Sequence, residues 1–193
     1  RIVTGTYRKL TALLVVSTIP TMLIGYQCKR LVVRTAASHM FSGIGLLLTG
    51  VILLVVDYSS INGNKGTREA NYGDAMWMGI CQGVSVFPGI SRLGLTMSAG
   101  LFCGMSRKFA VKYSLLMSIP AVIGAFIVEM GEFTSVSMTV GRGFTYVLGM
   151  LIAGVTGYLV IRFMVNFVNQ IKLRYFAFYC FAAGIIALAV NYI

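Results

Sequence analysis

The chain is 193 residues long, 58% hydrophobic and only 11% charged, against about 45–50% apolar and 25% charged in an ordinary soluble domain. With a mean hydropathy of +0.85, that balance excludes a soluble globular enzyme and points to a polytopic membrane protein. The net charge of +11, from 16 Lys and Arg against 5 Asp and Glu, would suggest nucleic acid on a soluble protein. In a membrane protein such cations set topology and meet anionic headgroups, so membrane lipids and no nucleic acid are expected as partners.

The expected fold is all-α: one transmembrane domain over residues 1–193, because the alternating pattern of a membrane barrel is absent. The chain opens on Arg1 rather than Met, and the expectation is a truncated chain with a segment upstream of it. Five stretches read as spanning helices: Leu10 to Gly25, Thr35 to Val56, Phe109 to Val128, Phe144 to Val165 and Tyr175 to Tyr192. The first is short and carries Pro20, which predicts a kink and an earlier start. A polar loop, Asp57 to Asn71, follows the second.

From Tyr72 to Met105 the chain is moderately apolar but broken by Phe87-Pro88-Gly89-Ile90-Ser91-Arg92. Pro88 stops a helix, Gly89 permits unusual backbone angles, and Arg92 is costly in lipid. At 1.5 Å per residue the arm from Ser91 to Met105 reaches ~22 Å, too short for a ~30 Å hydrocarbon core. A re-entrant hairpin over residues 72–105 is the expectation, with protein or a wet cavity covering the broken backbone. If it turns back, ten cations (Arg1, Arg8, Lys9, Lys65, Arg68, Arg107, Lys108, Lys112, Lys172 and Arg174) share one face against Lys29, Arg30, Arg34 and Arg142 on the other. The positive-inside rule favours that division, with the hairpin entering from the cytoplasmic side.

The hairpin also concentrates the residues able to carry chemistry. Ser91 stands at the N-cap of the returning helix, whose free backbone N–H groups and positive dipole end favour an anion. Arg92 adds a planar fork of donors suited to phosphate oxygens, and Thr96, one turn on, a hydroxyl. The constellation predicts an oxyanion or phosphate pocket inside the membrane.

The stretch Pro88-Gly89-Ile90-Ser91-Arg92-Leu93-Gly94-Leu95-Thr96 resembles the PGxSRSGxT signature of undecaprenyl pyrophosphate phosphatases, the bacitracin-resistance integral membrane enzymes. The likeness extends through Asp74 to Gly83, Gly104 to Lys108, Ser114 to Pro120, Ile19 to Gly25 and Phe176 to Cys180. The resemblance implies hydrolysis of undecaprenyl pyrophosphate to undecaprenyl phosphate and inorganic phosphate, recycling the lipid carrier of cell-wall synthesis in the bacterial cytoplasmic membrane. Arg92, Ser91 and Thr96 would then be catalytic, with Pro88, Gly89, Gly94 and Gln82 binding substrate. It also implies an inverted-repeat fold with two opposed re-entrant hairpins.

Two departures qualify the likeness. Leu93 replaces a small Ser beside the arginine, and the family's N-terminal (E/Q)xxxE segment with its histidine does not occur in these residues. In this hairpin Gln82 to Val86 takes the corresponding place, with Val86 where the acid would stand. The divalent cation the family implies, Mg²⁺ or Ca²⁺, would be held by those absent glutamates, so no metal ligand is expected in this chain. Ser91 has no neighbouring base and is assigned phosphate binding rather than nucleophilic attack.

The other polar residues read more plainly. His39 opens an apolar helix and is a helix-end histidine. Glu129 and Glu132 read as a solvated loop at a span end, and Asp57, Glu69 and Asp74 as offsetting Lys65 and Arg68. Cys28, Cys81, Cys103 and Cys180 read as small core residues, and Trp77, Tyr146, Tyr175 and Tyr192 as interface anchors. Beside the phosphatase stand two other readings: a transporter or lipid-phosphate-binding protein, which re-entrant repeats equally suit, and an inactive fragment. A homodimer is left open.

Overall fold

The computed structural model describes residues 2–36, 38–59, 63–133, 140–167 and 172–190. Among them run seven helices and no strand: α1 (Ile2–Ala36), α2 (His39–Tyr58), α3 (Tyr72–Val84), α4 (Arg92–Phe102), α5 (Arg107–Phe133), α6 (Val140–Phe167) and α7 (Arg174–Val190). Four of these, α1, α2, α5 and α6, are long and apolar enough to cross a membrane. The fifth expected span, α7, is apolar but 17 residues long, and Tyr192 lies outside the described residues. The architecture is that of a multi-pass helical membrane protein.

Several boundaries move outward from the sequence reading. The first span runs 35 residues with Pro20 inside it, so Lys29, Arg30 and Arg34 sit on a helix and Thr35 belongs to α1, not α2. α1 continues through Pro20, and Thr21 Oγ1, donating to Ser17 O at 2.9 Å and to Gly79 O at 2.8 Å, ties this stretch to α3. α5 likewise runs through Pro120 to Phe133, which puts Glu129 and Glu132 on a helix rather than in a loop. Glu129 is exposed, and the side chain of Glu132 lies outside the described residues. His39 is the first residue of α2, and its side chain also lies outside them.

α3 and α4, where a re-entrant hairpin was expected, form a hairpin of two short helices. α3 starts with a capping box: Asp74 N donates to Asn71 Oδ1 at 2.8 Å and Asn71 N to Asp74 Oδ2 at 3.0 Å. α4 ends beside the loop that precedes α3, where Lys65 N donates to Gly104 O at 3.1 Å and Ser106 N to Lys65 O at 3.0 Å. Both arms therefore meet one face of the molecule, and at 13 and 11 residues they reach only ~20 and ~17 Å.

The same face gathers the cations. Lys9 Nζ donates to Arg68 O, Lys65 pairs with Asp74 at 3.3 Å, and Arg107 and Arg174 lie 3.9 and 3.2 Å from Asp57. Gly66 N donates to Glu69 Oε2 at 2.8 Å, and this bond, ahead of Glu69's own amide, lowers the pKa of that exposed carboxyl. Asp57 departs from the expected pairing. Its buried carboxylate pairs with neither Lys65 nor Arg68 among the described contacts but accepts from Leu173 N at 3.0 Å and Arg174 Nε at 3.2 Å, so it clamps the end of α2 to the start of α7.

Above that clamp α2 and α7 pack closely. A Cβ on Gly43 would stand 3.1 Å from Gly184 O, and one on Gly184 3.0 Å from Gly43 O, a small-residue contact of the kind that lets membrane helices approach. The buried core lies among α1 to α5 with the start of α7, around Leu13, Met78, Leu101, Met105, Tyr113 and Met117. Cys180 is buried and the other three cysteines are half-buried, all as free thiols. Trp77, Tyr146 and Tyr175 are exposed on the outer surface, as interface anchors require.

Asp57→Ala leaves two half-buried guanidinium groups and a helix-start amide without their acceptor. It is expected to cost about 2 kcal/mol, read as a lower midpoint of thermal unfolding in detergent. Asp57→Asn, which keeps one acceptor, should lose less. An unchanged midpoint for the alanine variant would show that α2 and α7 are held by their glycine contact alone.

Candidate functional site

The turn between the hairpin arms is fixed from one side by α2. Gly89 has φ +82, a backbone region that favours glycine, and a Cβ there would collide with the carbonyl of Ser42. A Cβ on Gly45 would in turn collide with Pro88 O, and would lie 2.9 Å from the Gly89 carbonyl carbon. Backbone thus lies against backbone. Thr49, one turn further along α2, accepts from Ser91 N at 3.0 Å while donating to Gly45 O at 2.9 Å. Sequence reasoning missed Thr49, because a lone threonine in an apolar helix carries no signal until the hairpin is laid against it.

Ser91 is the N-cap of α4, accepting from Gly94 N at 3.1 Å, and its carbonyl accepts from Leu95 N. Gly94 allows this close capping, since a Cβ would stand 3.1 Å from Ser91 Oγ and 3.4 Å from Thr49 Cγ2. Thr96 is fully buried, and its hydroxyl donates to Arg92 O at 2.7 Å. With these groups satisfied, the N–H groups of Arg92 and Leu93 are the two in the first turn of α4 without an acceptor among the described residues.

On the opposite side of the turn lies a cavity of about 430 Å³ between α1, α3, α4 and α5. Arg92 and Gln82 line it, together with Val86, Thr21, Lys29 and Glu129 on otherwise apolar walls. The Arg92 side chain is half-buried and meets no acceptor among the described residues. Gln82 is 1% exposed, its Nε2 donating to Met117 O at 3.1 Å while its Oε1 has no partner. A guanidinium with no hydrogen-bonded acceptor among the described residues, beside two helix-start amides and in a cavity that Lys29 and Glu129 also line, is suited to an anion.

The structure therefore divides the residues singled out by sequence. Gln82 and Arg92 reach the cavity, whereas Pro88, Gly89, Ser91, Gly94 and Thr96 build and hold the turn behind it. Leu93, the departure from the signature, is not among the lining residues, and Val86 is. Lys29 and Glu129 were not singled out as site residues; they are brought to the cavity by the uninterrupted outer turns of α1 and α5. Among the described residues no group of three His, Cys, Asp or Glu side chains could hold a metal ion, so these residues by themselves do not fit a divalent cation.

The comparisons bear on this hairpin and on the helices around it. Residues 3–186 match the family model described as "Bacitracin resistance protein BacA". Proteins named undecaprenyl-diphosphatase are similar over most of the chain. The one from Alkaliphilus metalliredigens is 38% identical over 96% of this chain and 67% of its own length. That from Desulforapulum autotrophicum is 37% identical over 96% and 66%, and that from Methanosphaera stadtmanae 34% over 93% and 63%. The chain thus spans about two thirds of the length of these curated relatives. With the match running from the first turn of α1 into α7 and enclosing the whole hairpin, the chain belongs to the bacitracin resistance protein BacA family.

Proposed function

We propose that the protein carrying this chain is an undecaprenyl-diphosphate phosphatase of the bacterial cytoplasmic membrane, releasing inorganic phosphate and leaving undecaprenyl phosphate. The observation that carries the reading is the unpaired, half-buried Arg92 at the start of α4, facing an amphipathic cavity. The names of the relatives support the substrate. Hydrolysis breaks one P–O–P bond as water attacks the terminal phosphorus, and charge moves onto the oxygen of the departing lipid phosphate.

Arg92 holds non-bridging oxygens and neutralises charge as it redistributes, at low local dielectric where such contacts are strongest. The amides of Arg92 and Leu93 add donors along the helix axis. Ser91 accepts from Gly94 N and so holds the start of α4 in place behind the cavity. Thr96 fixes the first turn, and thereby the angle at which Arg92 leaves it. Gln82, anchored on Met117 O, presents a carbonyl oxygen, an acceptor suited to a water or protonated phosphate oxygen rather than to an anion.

A divalent cation, Mg²⁺ or Ca²⁺, belongs to the proposal as a charge-neutralising group whose ligands the described residues do not supply.

Phosphate release from undecaprenyl diphosphate by the purified protein is the measurement. Arg92→Ala is expected to lower turnover about 100-fold or more, and near-normal release would sink the role assigned to Arg92. Thr49→Val should lower kcat about tenfold through misplacement of the Ser91 amide, with Thr49→Ser restoring it. Equal losses in both would mean that Thr49 only packs. EDTA should stop release and added Mg²⁺ or Ca²⁺ restore it, whereas release indifferent to EDTA removes the cation from the proposal.

A further inference from the structure

A buried polar atom at the wall of the Arg92 cavity has no partner among the described residues. Gln82 is 1% exposed and lines the cavity, yet its Oε1 accepts no hydrogen bond there. The residue is fixed from three sides. Ser85 Oγ donates to Gln82 O at 2.7 Å and closes the end of α3. Gly79, one turn before it, and Gly83, next to it, bring α3 close to α1, where a Cβ on Gly83 would stand 2.8 Å from Ile24 Cβ. The side chain itself crosses to α5, where Nε2 donates to Met117 O at 3.1 Å.

That last bond decides which end of the amide is left for a ligand. A backbone carbonyl only accepts, so Met117 O takes the NH2 end, and turning the amide over would set two carbonyl oxygens against each other. Met117 is not among the residues lining the cavity, whereas Gln82 is, so the free end on the cavity side is Oε1. Gln82 and Arg92 then make opposite demands on whatever enters. The guanidinium donates and attracts negative charge. The carbonyl dipole turns its negative end inward, repels the bare oxygens of an anion and is satisfied only by a group that donates.

We propose that Gln82 makes this cavity selective for an oxyanion that still carries hydrogen, Arg92 taking bare oxygens while Gln82 Oε1 accepts from the P–O–H of a terminal phosphate. Among tetrahedral anions that chemistry separates phosphate from sulfate, which has no proton to give near neutrality. A terminal phosphate has one, on a group that titrates at about 6. An anion without it leaves a buried carbonyl oxygen facing negative charge, a loss that sites built around a hydroxyl turn into strong discrimination. The assignment of the phosphate to a lipid rests on the phosphatase reading above; the preference for a hydrogen-bearing anion does not. In that reaction the proton held at Gln82 leaves the terminal phosphate with one negative charge fewer for an approaching nucleophile to overcome.

Isothermal titration of inorganic phosphate, arsenate and sulfate into the purified full-length protein at about pH 6 tests the selectivity without turnover. Phosphate and arsenate, alike in shape and both protonated there, should bind about tenfold or more tightly than sulfate, although its double charge would favour sulfate at Arg92 alone. Gln82→Met keeps the length of the side chain and removes the carbonyl, and should bring the three anions within about twofold of one another. The ratio cancels any loss of folded protein. Arg92→Ala should weaken all three together. Farnesyl phosphate binding more tightly than inorganic phosphate would make a lipid headgroup the source of the ligand, and equal binding a free phosphate. Sulfate held as tightly as phosphate by the wild type, a preference that survives in Gln82→Met, or one lost instead in Glu129→Ala, would overturn the proposal. A phosphate preference in a wild type that releases no phosphate from undecaprenyl diphosphate would remove the reaction and leave the selectivity standing.

Discussion

An interrupted backbone packed among apolar helices must find partners for its polar groups in the protein around it. That demand falls on the turn from Phe87 to Arg92 and is met chiefly by α2. Gly45 removes the side chain that would keep the two backbones apart, Ser42 lies against Gly89, and Thr49 accepts from the Ser91 amide. Within the turn Ile90 N donates to Phe87 O at 3.2 Å and Phe87 N to Val84 O at 3.3 Å. The groups left over are two amides at the start of α4, on an element whose guanidinium faces the cavity. Satisfaction on one side and deliberate shortage on the other are what turn a structural break into a site.

The turn can be held so closely only because α2 is itself fixed at its far end. Asp57 receives the first turn of α7 and the two arginines, and the glycine contact between Gly43 and Gly184 carries the registration up the helix pair. On the other side α3 sits against α1 at Pro20, where a Cβ on Gly79 would lie 2.7 Å from Pro20 Cγ and 2.9 Å from the Ser17 carbonyl carbon. Thr21 joins the carbonyls of both helices. The hairpin is thus gripped between two helices through small residues and hydroxyls, alongside the apolar core that Met78, Met97 and Leu101 join. This is the economy of packing in a solvent as apolar as the side chains, where close approach and hydrogen bonds must replace the hydrophobic effect between helices.

What the sequence made legible follows from the same physics. Hydropathy revealed the spans, because lipid imposes composition directly on the helices it touches. The hairpin was legible from Pro88, Gly89 and the shortness of the arms, and the ion pairing of Lys65 with Asp74 from proximity in the chain. The partner of Asp57 was not, since Arg174 is 117 residues away and only packing of α2 on α7 brings it near. Helix ends were read too short wherever charged residues such as Lys29 or Glu129 continued a helix beyond its apolar part. Hydropathy marks where lipid begins, whereas backbone hydrogen bonds decide where the helix stops.

That last distinction also explains which half of the site stayed hidden. The signature residues announce themselves because their backbone geometry is unusual, and most of them serve that geometry: Gly89 and Gly94 by lacking side chains, Ser91 and Thr96 by completing hydrogen bonds within α4. The cavity walls come instead from ordinary stretches of α1 and α5, whose Gly25, Ala121, Gly124 and Ala125 look like any small residues in a spanning helix. Their smallness opens space beside Arg92, and a charge so costly to bury gains an electrostatic purpose only when an anion can reach it through that space. The arginine and the small residues therefore define one site between them, although the sequence advertises only the arginine.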